Sequence, residues 1–186
     1  SNCYIRNMWT TTSAFVLLHK GALVAHIGDS RVYRLRGKVI EQLTFDHSLV
    51  WELRKAGQLS DDKDAAHSIP KNVITRSVGP NASVQVDIEG PFPVRTGEVF
   101  LLCSDGLTGK LDDSELAGFV AHLPPEDACQ LLIDLANLRG GPDNITVIIT
   151  RVVGESMQTE VTEPAVALAP DANRELAEWV MWVWVA

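Results

Sequence analysis

The chain has 186 residues, 46% of them apolar and 22% charged, which suffices for one domain with a real core plus a short appendage. Sixteen Lys and Arg against 24 Asp and Glu leave a net charge of -8, and that balance argues against nucleic acid as a partner, whose phosphates need clustered cations. Three scattered cysteines (Cys3, Cys103 and Cys129), with no Cys-x-x-Cys pair, argue against a disulfide framework or a zinc cage and fit a reducing cytoplasm.

The first elements in chain order are sheet-forming. Residues 11–18 and 22–27 are apolar runs joined through His19-Lys20-Gly21, which reads as a hairpin. Arg31 to Leu35 and Val39 to Leu43 follow as two further strands around the turn Arg36-Gly37-Lys38, completing an antiparallel meander. The period then changes. Positions 49, 50, 53 and 56 share one helical face, with Ser48 as cap and Gly57 as stop. Residues 58–72 read as a loop or small flap, and Val73 to Val78 as a short strand or a helix. Val84 to Ile88 alternates like an edge strand, after which Pro91 and Pro93 interrupt. Glu98 to Cys103 is a short, nearly pure apolar run of the kind found in central strands. Asp112 with Glu115 predicts a capping box opening a helix to His122. A second helix spans Glu126 to Leu138, and Ile145 to Val153 is the last strand. Cys103 and Cys129 read as small buried hydrophobes.

Three aspartates share a signature. Asp29 follows one predicted strand, Asp105 follows another, and Asp143 precedes a third, each beside a glycine (Gly28, Gly106, Gly141) that lets the backbone turn and leaves the carboxylate unhindered. A lone Asp-Gly is more often a turn signal than a ligand. Carboxylates gathered at one rim of a sheet would repel each other unless a cation neutralised them. Hard oxygen donors without Cys or His favour Mg²⁺ or Mn²⁺ over zinc.

The wording around these aspartates is specific. Gly28-Asp29-Ser30-Arg31-Val32-Tyr33, Leu43-Thr44-Phe45-Asp46-His47-Ser48-Leu49-Val50, Leu101-Leu102-Cys103-Ser104-Asp105-Gly106-Leu107-Thr108 and Gly140-Gly141-Pro142-Asp143-Asn144-Ile145-Thr146-Val147 occur in this order. Over residues 8–153 they resemble the bacterial PPM-type (protein phosphatase 2C-like) metal-dependent Ser/Thr phosphatases. The resemblance implies an α+β fold: a β-sandwich of two antiparallel sheets flanked by helices in α-β-β-α layers, with a metal site at one end. It implies that Asp105 and Asp143 bind two catalytic Mg²⁺ or Mn²⁺ ions and that Asp29 helps to hold a third. Gly106, Asn144, Gly28 and Ser30 would support them. The implied activity is hydrolysis of phosphoserine and phosphothreonine in phosphoprotein substrates by a metal-activated water, opposing a Ser/Thr kinase in signalling. The segment from His47 to Val78 resembles the flap beside the site. His47 reads as a structural residue or, less readily, a proton donor, Arg31 as a brace of its turn, and Arg76 equally as a substrate contact or a structural residue.

Departures from the family pattern set the remaining expectations. The family's Arg…Asn-Glu-Asp and Asp-Gly-Met-Gly-Gly-His segments, which supply further metal ligands, a phosphate-gripping Arg and a His, do not occur in Ser1 to Asn7, and no Asp or Glu precedes Asp29. Met8-Trp9-Thr10-Thr11 stands where the family has Met-Gly-Thr-Thr. Residues 1–153 are therefore expected to be the C-terminal part of the domain, with N-terminal strands missing. Such a chain carries no assigned catalytic residue and is expected to be inactive as it stands. A catalytically dead phosphatase-like binding or regulatory module is the alternative. Residues 154–174, rich in Glu, Thr, Pro and Ala, read as a disordered linker. Residues 175–186 form an apolar, Trp-rich tail, shorter than the roughly 20 residues of a membrane span. That tail reads either as the start of a transmembrane helix anchoring a cytoplasmic domain or as an element docking on the domain.

Overall fold

Continuous and alternating apolar runs form the sheets of the computed structural model, which describes residues 8–58, 70 and 73–154. In chain order the elements are β1 (Thr12–Leu18), β2 (Gly21–Ile27), β3 (Arg31–Arg36), β4 (Val39–Gln42), α1 (Leu49–Lys55), β5 (Asp87–Phe92), β6 (Val99–Cys103), α2 (Asp105–Thr108), α3 (Asp113–His122), α4 (Pro125–Leu138) and β7 (Val147–Arg151). One sheet has the order β1-β2-β5 and the other β4-β3-β6-β7. All neighbours are antiparallel.

β6 shows why the sandwich holds. Phe100 and Leu102 face the three-stranded sheet, where they and Val32 of β3 share a cluster with Ala22 and Val24 of β2. Val99, Leu101 and Cys103 face the opposite way, into a second cluster with Leu107, Leu116, Val120 and Leu132 from the helices. Both faces are covered, so the strand is apolar throughout and all five residues are buried. The Phe15 and Phe100 rings, 4.3 Å apart, join the sheets at mid-height. Expulsion of water from these two layers is the main stabilising term.

The helices begin where local chemistry favours it. The Asp112 carboxylate accepts the Glu115 N–H while the Glu115 carboxylate accepts the Asp112 N–H, the predicted capping box for α3. Pro125 opens α4 at its first position, where no amide donor is needed. Among the described residues the helix layer lies against the four-stranded sheet, with Leu116, Val120 and Leu132 packed on β3 and β6.

Several elements differ from expectation. The edge strand is Asp87–Phe92, not Val84 to Ile88. It runs through Pro91 because an edge strand has one side on which no N–H is required. Gly90 admits the close approach, since a Cβ there would lie 2.6 Å from the Ala22 carbonyl oxygen. Val73 to Val78 is neither a helix nor a sheet strand; it makes isolated bridges, Ser48 to Ile74 and Thr10 to Val78. The last strand is shorter than read, Val147–Arg151. Cys103 is buried as expected, whereas Cys129 is only partly so. No described helix is long and apolar enough to cross a membrane. The tail 175–186 and the linker beyond Gly154 lie outside the described residues.

Candidate metal centre at one rim of the sandwich

Antiparallel register brings distant residues to one rim. Arg31 at the start of β3 pairs with Cys103 at the end of β6, and Cys103 pairs with Val147 at the start of β7. The turn after β2, carrying Asp29, the turn after β6, carrying Asp105, and the segment entering β7, carrying Asp143, must therefore emerge on the same edge. The loop after β4 and the start of β5 arrive there too, because β4 and β2 run antiparallel to β3 and β5.

The carboxylates feel one another. Asp29 is pushed up to about 6, first by burial and then by the negative charge of Asp105. Asp105 is raised as well, again by burial first and then by Asp143. Asp46 adds to both. Among the described residues the ion pairs formed by Lys and Arg go elsewhere, and none reaches Asp29, Asp105 or Asp143.

Each carboxylate rides on a braced turn. Gly28 has φ 113°, and a Cβ there would come 2.3 Å from Thr11 Cγ2. Ser30 Oγ lies 2.9 Å from Thr11 Oγ1. Gly106 lies against the Asn144 carbonyl, 2.4 Å from where its Cβ would be. Ser104 Oγ donates to that carbonyl at 3.1 Å and accepts the Thr146 N–H at 3.0 Å, binding the Asp105 turn to the Asp143 segment. The Asn144 N–H donates to Asp143 Oδ1 at 2.7 Å. Gly28 and Gly106 thus admit close approaches that a Cβ would block, Ser30 bonds Thr11, and Asn144 contacts its neighbours through its backbone.

The other candidates are committed to structure. Arg31 donates twice to Asp46, at 2.8 and 2.6 Å, and once to Tyr33, whose hydroxyl donates to Asp113. Arg76 pairs with Asp87. His47 is buried, and both ring nitrogens are in use, on the Gly28 N–H and on Asp87.

Comparison with known proteins places the chain among its relatives. No family model matches the chain. The protein phosphatase PhpP of Streptococcus pneumoniae is 42% identical over 154 residues, covering 82% of this chain and 62% of its own length. The solved serine/threonine phosphatase of S. agalactiae superposes with a TM-score of 0.72 at 40% identity, over 83% of this chain and 62% of that one. The catalytic domain of the serine threonine protein phosphatase PstP, solved in complex with two manganese ions, gives a TM-score of 0.68 at 31% identity, over 80% and 61%. The chain belongs to the bacterial PPM-type Ser/Thr phosphatase family. It spans less than two thirds of the length of these relatives.

Within this PPM-type fold the donor chemistry fits a hard divalent cation: oxygen ligands only, mutually repelling, with no cationic side chain paired to them among the described residues. No three His, Cys, Asp or Glu side chains among the described residues converge tightly enough to hold an ion alone. Sequence reasoning missed Ser104, His26 and Asp87 as parts of the rim. Ser104 lies within the motif at 101–108, but its partners Asn144 and Thr146 are about 40 residues away and leave no local signal. His26 and Asp87 gain their roles through cross-strand pairing, which leaves no local signal.

Proposed function

We propose that Asp105 and Asp143 bind catalytic divalent ions, that Asp29 helps to hold a further one, and that this site hydrolyses phosphoserine and phosphothreonine in proteins, in opposition to a Ser/Thr kinase. The observation that carries the reading is the gathering of Asp29, Asp105 and Asp143 at one rim, with the proton affinity of Asp29 and Asp105 raised by burial and by neighbouring carboxylates and no ion pair to any of the three among the described residues. Family membership and the two manganese ions in a relative's catalytic domain support it. Mg²⁺ or Mn²⁺, once bound, would supply Lewis acidity to activate water and neutralise phosphate oxygens. The chain's own residues do the holding. Asp105 and Asp143 would ligate, the Ser104 hydroxyl would keep their two segments in register, and the glycines would let backbone approach without a side chain in the way.

The described residues supply too few donors for a complete cage, so the 186-residue chain alone is proposed to bind metal weakly and to lack turnover. Mn²⁺ titration by calorimetry tests the ligands: Asp105→Asn and Asp143→Asn should each weaken binding by roughly tenfold or more. Parent-level affinity in both variants would remove the metal assignment. Robust hydrolysis of p-nitrophenyl phosphate by the 186 residues would overturn the inactivity.

A further inference from the structure

We infer that His47 is a positioning residue: it sets the orientation of the Gly28–Ser30 turn, and hence of Asp29, and ties that turn to the segment 73–76 and to Asp87. The inference rests on the reading of Asp29 as a metal ligand. Four hydrogen bonds meet at this buried residue. The His47 N–H donates to the Gly28 carbonyl at 2.7 Å, and the Gly28 N–H donates back to His47 Nδ1 at 3.0 Å. His47 Nε2 lies 2.9 Å from Asp87 Oδ2, and the His47 carbonyl accepts the Thr75 N–H at 2.8 Å. A backbone N–H can only donate, so Nδ1 carries the lone pair and the ring is the Nε2–H tautomer, donating to Asp87.

Gly28 is held from three directions. Its carbonyl also accepts from His26 Nε2 at 2.8 Å. With φ 113° and no room for a Cβ, this peptide takes its orientation from these partners, and Asp29 is the next residue. On the far side Asp87 is paired with Arg76, and Leu49 and Thr75 join the helix start to Val73 and His47 through backbone bonds of 2.9 and 2.8 Å. A shift of the 73–76 segment therefore reaches the Asp29 turn through one residue, by its backbone and by its imidazole. The same bonds remove His47 from proton transfer, since neither nitrogen is open to substrate.

Two substitutions separate the ring's ends in the ¹⁵N-labelled chain. His47→Asn places an amide oxygen where Nδ1 was and keeps the acceptor for Gly28. His47→Gln keeps a donor where Nε2 was and loses that acceptor. The expected result is that His47→Asn retains slow exchange of the Gly28 amide and Mn²⁺ affinity within roughly threefold of the parent. His47→Gln should lose both, with Mn²⁺ binding roughly 10–100-fold weaker, read from paramagnetic broadening of the Asp29 and Asp105 amides. Equal Gly28 exchange in the two variants overturns the inference. So does Mn²⁺ affinity that stays at the parent value while Gly28 becomes labile. Asp29→Asn distinguishes the two possible failures: unchanged Mn²⁺ affinity there sinks the metal reading and this inference with it, whereas weakened affinity there alongside parent affinity in His47→Gln sinks this inference alone. If His47→Gln does not fold, Asp87→Ala takes its place, and Gly28 exchange at the parent rate in that variant overturns the inference.

Discussion

Asp29 and His26, three residues apart at the end of β2, are displaced from their ordinary pKa values in opposite senses. Asp29 rises to about 6, and His26 falls to about 4 through burial and the neighbouring His47 ring. Between about pH 4 and 6 the folded chain holds a proton on Asp29 that the unfolded chain has lost, so this group's contribution to stability falls as pH rises. His26 does the reverse: it stays neutral in the fold where the unfolded chain takes up a proton, so its contribution falls as pH drops from 6.5 toward 4. The two slopes therefore oppose each other over this range. Urea unfolding at pH 4.5 and 7 without metal should expose them separately. Asp29→Asn is expected to lose stability on acidification by more than the parent, and His26→Gln to gain relative to the parent. Asp29 was legible in the sequence because its carboxylate follows a glycine at a strand end. The partnership of His47 with Asp87 was not, because 40 residues separate them and only the placement of β5 beside β2 brings them together.

At the scale of elements, two kinds of segment behaved differently. β6 and α3 were readable because burial on both faces demands an unbroken apolar run and because a capping box is a local pattern. β5 was not, since Gly90, Pro91 and Pro93 read as interruptions; the strand persists because it needs partners on one side only. The Asp105 turn and the Asp143 segment depend on each other through Ser104. Ser104→Ala removes both side-chain bonds and should lower stability by about 1–3 kcal/mol, seen as a lower urea midpoint. It should weaken Mn²⁺ binding as well, while leaving the far end of the sheet unchanged in amide exchange. An equal loss of protection at Val99 and Arg151 would show that Ser104 acts on the whole sheet rather than on the rim.

For the whole molecule, the repelling rim and the metal it is proposed to take predict a linked stability. Mn²⁺ should raise the melting temperature, with a gain of about 2.7 kcal/mol at 100 times Kd, and chelation should reverse it. Asp105→Asn should melt higher than the parent without metal, because it relieves repulsion from Asp29 and Asp143, and should forfeit the Mn²⁺ increment. A parent-sized increment in that variant would place the ion elsewhere. The sequence by itself determined the apolar rhythm of the strands, the caps of the helices and the chemical type of the three carboxylates, because each is written in neighbouring residues. Tertiary packing alone brings residues 29, 105 and 143 to one edge and places His47, His26 and Ser104 where they brace it. Those facts follow from antiparallel register between strands far apart in the chain, and no local pattern encodes register.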